Sequence, residues 1–181
     1  MALQFDSSQT WIANRLASYL SSELSTKITI DRVSIQFIQS INLEGVYVED
    51  QHQDTLIYAG RISITLKDLS TEKKVLAINK LSLEHTLFRL VHYKGEAHDN
   101  LHFLTDYFSS SSPADTTAKP WKLSVAELSL KEVRFINSNQ NDTLSPVGVE
   151  FSNLSLEGIN GQLSDISFVN DSIFSTVHHL R

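Results

Sequence analysis

The feature that most constrains the fold is a change in the period of apolar residues after Leu24. Beyond that point apolar side chains recur at every second position, in runs separated by polar turns, as in Ile28 and Ile30 or Leu128 and Leu130. This alternation is typical of antiparallel strands with one buried face. The sequence therefore predicts a mainly β chain whose sheet has a continuous apolar face.

Two helical patterns accompany the strands. Residues 7–24 carry apolar side chains at three- to five-residue spacing, which predicts an amphipathic helix that caps a curled antiparallel sheet, a gutter of repeated strand pairs. A second, short helix is predicted over 99–108. The stripe that we expect to pack on the sheet consists of Trp11, Ile12, Leu16, Tyr19, Leu20 and Leu24.

The strand pattern repeats and also slips. Residues 43–50 resemble residues 130–137, and a weaker third copy begins at Leu81. Within the first copy the alternation slips by one residue at Glu44-Gly45, which indicates a bulge. Repeats of this kind, each a pair of strands with its turn, favour an elongated array.

Changes in composition suggest four segments. We expect the amphipathic helix in 1–25, a first β segment with its short helix in 26–108, a flexible polar linker in 109–118 and a second β segment in 119–181. Both ends stop in mid-pattern, so the chain is expected to be a fragment, truncated at its C-terminus.

Charge and residue types exclude several functions. Lys and Arg number 15 against 21 Asp and Glu, a net charge of −6, which argues against nucleic acid and against anionic membrane surfaces. There is no Cys, so disulfides and thiolate metal sites are excluded. His98 and His102 lie four apart, but only Asp99 and Asp106 stand near them, and no catalytic motif occurs. We predict no enzyme activity, no metal and no cofactor.

The apolar face of the sheet needs a cover. Large apolar patches rarely stay exposed, and two short helices are too few to cover some eight strands. The sheet must therefore curl on itself, pack on another sheet or hold an apolar ligand. A gutter would shield an acyl chain, with about 0.8 kcal/mol gained per buried methylene. A closed sandwich would satisfy the same requirement.

Several stretches resemble one family. The chain is similar to AsmA-like and TamB-like proteins, in particular to the TamB-type translocation and assembly module proteins of the Bacteroidetes. The likeness covers nearly the whole chain. Its strongest stretches are Trp11–Leu24 leading into Lys27–Ile30, Ile41–Asp50 with Asp54–Ala59, Asn100–Phe108 and Lys119–Leu123.

This resemblance implies a function. The chain would belong to a periplasmic protein anchored in the inner membrane by a helix preceding Phe5, and would carry phospholipid along an apolar β-groove, or β-taco, toward the outer membrane. Its implied partners are phospholipid acyl chains and outer-membrane assembly proteins. Two alternatives stay open: a scaffold for outer-membrane protein assembly that works by strand addition, and a purely structural β-array.

The residues expected to line the groove are the inward positions of the predicted strands. Core packing explains each of them equally well taken singly. They are Ile28, Ile30, Val33, Ile35, Phe37, Leu43, Ile62, Ile64, Leu128, Leu130 and Phe151.

Overall fold

The predicted fold class is confirmed by the computed structural model, which describes residues 5–36, 40–70, 72–109, 122–141, 151–169 and 172–181. The chain is mainly β, with a single, mostly antiparallel sheet that does not close, an N-terminal helix and one further short helix. In chain order the elements are α1 Phe5–Leu24, β1 Ile28–Thr29, β2 Arg32–Gln36, β3 Ser40–Glu49, β4 Thr55–Ser70, β5 Val75–His92, α2 His102–Ser109, β6 Lys122–Asn139, β7 Asn153–Val169 and β8 Ser172–Leu180.

The strands lie in the order β1-β3-β4-β5-β6-β7-β8, and β2 also pairs with β3. Every pair is antiparallel except β5 with β6, which run parallel from Val75 beside Lys122 to His92 beside Asn139. The antiparallel meander that the sequence predicts is therefore interrupted at this pair. Parallel neighbours need a crossover connection, and the chain between β5 and β6, which contains α2, provides it.

Both predicted β segments contribute to this one sheet, because β5 and β6 come from opposite sides of the predicted linker. Apart from Ser109, which ends α2, the linker lies outside the described residues. The predicted segment boundaries stay predictions.

Helix α1 packs on the sheet through small residues. Ala13 and Ala17 are 0% and 7% exposed and join the core with Val46, Val48 and Leu56. The predicted stripe was wrong at Trp11 and Tyr19, which are 66% and 58% exposed. The two alanines let the helix axis approach the sheet, so the contact stripe is centred on them and the large rings lie outside it. The side chain of Ile12 is outside the described residues.

No helix in the described ranges has the length and apolar character needed to cross a membrane.

Candidate functional site

Apolar side chains of neighbouring strands stand directly beside one another, because the strand registers align them. Cross-strand partners share a face of the sheet, so each aligned set forms a row that runs across the strands. The first row is Ile41, Ile64, Leu81, Leu128 and Leu163. The second is Leu43, Ile62, Leu83 and Leu130.

Two further rows lie toward the other end of the strands. Val46, Ala59 and Thr86 are aligned across β3, β4 and β5, and Val133 and Ile159 are aligned across β6 and β7. The last row is Val48, Ile57, Phe88, Phe135 and Leu156. We call these four rows together the apolar rows.

A line of unusual backbone separates the second row from the third. Gly45, His85 and Glu132 have φ values of 61°, 50° and 52°, and Gly60 lies between Gly45 and His85 in the sheet. Only glycine adopts this region without strain. We call this line of four residues the crease.

The crease explains the slip in alternation. Leu43 and Val46 are three residues apart, yet Val46 belongs to the core cluster and Leu43 packs against it; Ala59 and Ile62 are related in the same way. In a regular strand, residues three apart would point to opposite faces. Irregularities of this kind bend a strand and increase its twist, and here they occur side by side in neighbouring strands.

The row next to the crease is the most buried part of the apolar rows. Ala59, Thr86 and Val133 in this row are 0%, 2% and 3% exposed, whereas Leu81, Leu83 and other members of the rows across the crease are half-buried. Val133 is buried although it is outside the core cluster that packs against the helices.

On the opposite face the crease carries a ladder of charges with alternating sign. Directly paired across five strands are Arg32, Glu44, Arg61, Glu84 and Lys131. The nitrogen–oxygen distances between successive members are 3.1, 3.2, 4.0 and 3.9 Å. Such half-exposed pairs contribute little stability singly, but a shift in register would separate the paired charges.

The residues predicted to line a groove fall into distinct places. Ile28, Ile30 and Val33 are at most 7% exposed and belong to the core near α1, so we leave them out of the surface proposed below. Leu43, Ile62, Ile64, Leu128 and Leu130 lie in the apolar rows and are half-buried.

The three other predicted positions differ. Ile35 pairs with Ile41 but is 54% exposed in β2. Phe151 is 75% exposed in the turn before β7 and belongs to none of the rows. Phe37 lies outside the described residues. The sequence-based list of groove residues lacked Leu81, Leu83 and Leu163, which also lie in the apolar rows. The weak third repeat that begins at Leu81 could have indicated the first two.

The most organised polar group is a buried network around Asp50, which is 2% exposed. One carboxylate oxygen accepts hydrogen bonds from the backbone N–H groups of His52 and Asp54, at 2.9 and 3.0 Å. The other accepts from the Tyr93 hydroxyl at 2.8 Å and the Asn100 amide at 2.9 Å. Asp50 therefore closes its own turn and also binds Tyr93 and Asn100, which lie far from it along the chain.

Asn100 extends the network to the start of α2. Its Oδ1 accepts a hydrogen bond from the backbone N–H of Val91 at 2.8 Å, and its own N–H donates to the Val91 carbonyl at 2.9 Å. Leu101 and Leu104 then pack against the core cluster. The network therefore fixes α2 beside the end of β5.

Two pKa values in the network are displaced. Burial alone would raise the pKa of Asp50, but hydrogen bonds from Asn100, Tyr93 and the turn backbone together lower it. Burial, followed by the hydrogen bond to Asp50, raises the pKa of Tyr93 to about 12. Both shifts favour an ionised Asp50 that accepts from a neutral Tyr93.

A cavity of about 340 Å³ lies beside this network. Within it the rings of His98 and His102 stack at 3.8 Å, and His102 contacts Asp106 at 3.2 Å. Among the described residues, no group of three His, Cys, Asp or Glu side chains is placed to hold a metal ion. The cavity is lined by Gln51, His52, Glu96, Ala97, His98, Asp99, Asn100, His102, Phe103 and Asp106.

Comparison with protein-family models, with curated proteins and with solved structures gave no match in any of the three.

Proposed function

We propose that the apolar rows bind phospholipid acyl chains, and that the chain is a module of a periplasmic protein, anchored in the inner membrane, that carries lipid toward the outer membrane. The supporting observation is that these rows continue past the region that the two helices cover. The resemblance to AsmA-like and TamB-like proteins supplies the biological setting, and the rows supply a surface of suitable chemistry.

The helices cover only one end of the apolar rows. The core cluster that contains α1 residues consists of side chains from β1 to β4, with partners from β5 and α2. Leu128, Leu130 and Leu163 are outside this cluster and are half-buried. They are the part of the apolar face on which a ligand could replace water.

The geometry of the rows favours an acyl chain that lies across the strands, perpendicular to their direction. Neighbouring strands are about 4.8 Å apart, so a row spanning β3 to β7 extends roughly 19 Å. The row that contains Leu81 and Leu128 has no charged member over this length. An extended acyl chain placed along it would bury methylenes continuously, at about 0.8 kcal/mol each.

A photo-crosslinking pair tests this proposal. A photoreactive amino acid at Leu128 should crosslink to phospholipid in cells, whereas the same group at Ser129, the next residue on the opposite face, should not. Mass spectrometry of the crosslinked species identifies the lipid. Equal crosslinking at both positions, or none at Leu128, would contradict the proposal.

A charge substitution provides the matched functional test. Leu128→Glu places a carboxylate in the middle of a row and should abolish lipid copurification, because an unpaired charge beside an acyl chain is strongly disfavoured. Ser129→Glu adds the same charge on the other face and should leave lipid copurification unchanged. Circular dichroism of both variants separates lost binding from lost fold.

The strand-addition scaffold has one observation in its favour. The sheet does not close, and among the described strands β8 pairs only with β7. An exposed strand edge can accept a further strand. A photoreactive group in β8 that crosslinks to outer-membrane β proteins, together with no lipid crosslink at Leu128, would favour the scaffold function over lipid transport.

A further inference from the structure

The face opposite the apolar rows carries a second set of aligned side chains, and these are short and polar. Ser63, Ser82 and Ser129 pair directly across β4, β5 and β6, and Gln162 continues the row on β7. The neighbouring row is Thr65, Lys80, Glu127 and Ser164. The charge ladder lies on this same face and flanks the serine row on its other side. Serine is much shorter than the charged residues of both flanking rows, so the serine row forms the floor of a furrow.

A cavity of about 620 Å³ lies over these two rows. Six of its twelve lining residues carry a hydroxyl or amide side chain, and the other six are one ion pair, one imidazole and three leucines. The lining residues are Ser63, Thr65, Lys80, Leu81, Ser82, Glu127, Leu128, Ser129, Gln162, Leu163, Ser164 and His178.

The hydroxyl groups on the floor have unused hydrogen-bonding capacity. Ser63, Thr65, Ser82 and Ser129 are half-buried, and none of their hydroxyls bonds to another group in the described part of the chain. A hydroxyl offers one donor and two acceptor positions, and at these half-buried positions water or a ligand can fill them. The cavity therefore presents several neighbouring groups with which a ligand can form hydrogen bonds.

The charge of the lining indicates the class of ligand. Among the described residues that line the cavity, Lys80 and Glu127 are the only Lys, Arg, Asp or Glu, and they contact each other at 3.3 Å. His178 contacts the Ser164 hydroxyl at 2.9 Å. Neither a phosphate nor an ammonium group finds an unneutralised partner there, whereas a neutral ligand rich in hydroxyl groups matches the lining.

We infer that this furrow binds a neutral glycan chain. From β4 to β7 the serine row spans three strand intervals, roughly 14 Å, which is enough for several sugar units in an extended chain. The repeated Ser-to-Ser pairing would present a regular series of hydrogen-bonding positions to a repeating polymer. This inference does not rest on the lipid proposal, because the serine side chains alternate with the apolar ones and point to the opposite face. Leu81, Leu128 and Leu163 are common to the first apolar row and the cavity lining.

A titration with defined oligosaccharides tests the inference. The probes are a β-1,4-linked N-acetylglucosamine tetrasaccharide and maltotetraose, added to the isotope-labelled full chain and followed by amide NMR. At least one of them should shift the amide signals of Ser82, Ser129 and Gln162 in a saturable manner. No shift from either probe at millimolar concentration would overturn the inference.

The double substitution Ser82→Ala with Ser129→Ala should weaken binding about tenfold or more, since it removes two hydrogen-bonding groups. Ser34→Ala is the matched control, because Ser34 pairs with Asn42 on the edge of the sheet and does not line the cavity. Unchanged affinity in the double variant would also refute the site. Lipid crosslinking at Leu130, which lies in the apolar rows and does not line the cavity, reads the other face, so the failure of one proposal is distinguishable from the failure of the other.

Discussion

Asp50 connects three parts of the chain through one carboxylate. It accepts hydrogen bonds from its own turn, from Tyr93 just after β5 and from Asn100 just before α2. Removing it would leave these donors buried without an acceptor, at a cost of about 3 kcal/mol. We expect Asp50→Ala to lower the free energy of unfolding by this amount in urea denaturation.

The same network predicts how stability depends on pH. The pKa of Asp50 in the folded protein is lowered from its ordinary 3.8. The contribution of Asp50 to folding stability is therefore present above pH 3.8 and is lost as pH falls through the lowered pKa. Because the pKa of Tyr93 is raised from 10.0 to about 12, its contribution is complete below pH 10 and is lost as pH rises toward 12.

Tyr93→Phe separates the two limbs of this pH profile. The variant should still lose stability in acid. It should lack the loss of stability that ionisation of Tyr93 causes as pH rises toward 12. Denaturation measured across the pH range checks both limbs. An unchanged alkaline limb in Tyr93→Phe would show that the stability loss there arises from another group.

At the scale of the elements, Gly45 is the most constrained position in the crease. It has a φ of 61°, and a Cβ atom there would lie 1.9 Å from Oδ2 and 2.9 Å from Cβ of Asp31. Left-handed backbone costs a non-glycine residue roughly 1–2 kcal/mol, and the overlap adds to this. We expect Gly45→Ala to destabilise the protein by about 3 kcal/mol, measured by thermal or urea denaturation.

Two controls divide this cost into its parts. Gly95 has a φ of 83° but open space around its Cβ position, so Gly95→Ala should show the backbone cost alone. Asp31→Ala combined with Gly45→Ala should recover the part that arises from overlap. If the double variant is no more stable than Gly45→Ala, the contact with Asp31 is not the cause.

The crease also shows what the sequence reveals about these elements. The slip at Glu44-Gly45 and the repeats that begin at Leu81 and Leu130 are visible in the sequence. Within these repeats Leu43, Leu83 and Leu130 lie in the second row. The alignment of that row across the sheet could not be predicted, because it depends on which strands pair.

The parallel pair β5–β6 was unpredictable for a related reason. Alternation identifies a strand and its buried face but not its direction. The direction of β6 depends on the path of the chain after α2, and no local pattern encodes that path. Likewise, the partners of Asp50 lie 43 and 50 residues away, so only its local turn could be predicted.

At the scale of the whole molecule, charge and apolar surface act in opposite directions. A net charge of −6 repels an anionic bilayer, whereas the apolar rows gain by taking up an acyl chain. The rate at which the protein takes lipid from a membrane should therefore depend on the charge of the donor surface, while the affinity for the acyl chain should not.

Vesicles of different composition test this separation. Uptake of a fluorescent phospholipid from zwitterionic vesicles should be severalfold faster than uptake from vesicles rich in anionic lipid. Raising the ionic strength should remove the difference, because it screens the repulsion beyond about 8 Å at 0.15 M salt and about 3 Å at 1 M. Leu128→Glu should abolish uptake from both kinds of vesicle, since it acts on the binding surface. A difference in rate that persists at 1 M salt would show that donor choice depends on contacts with the headgroup and not on net charge.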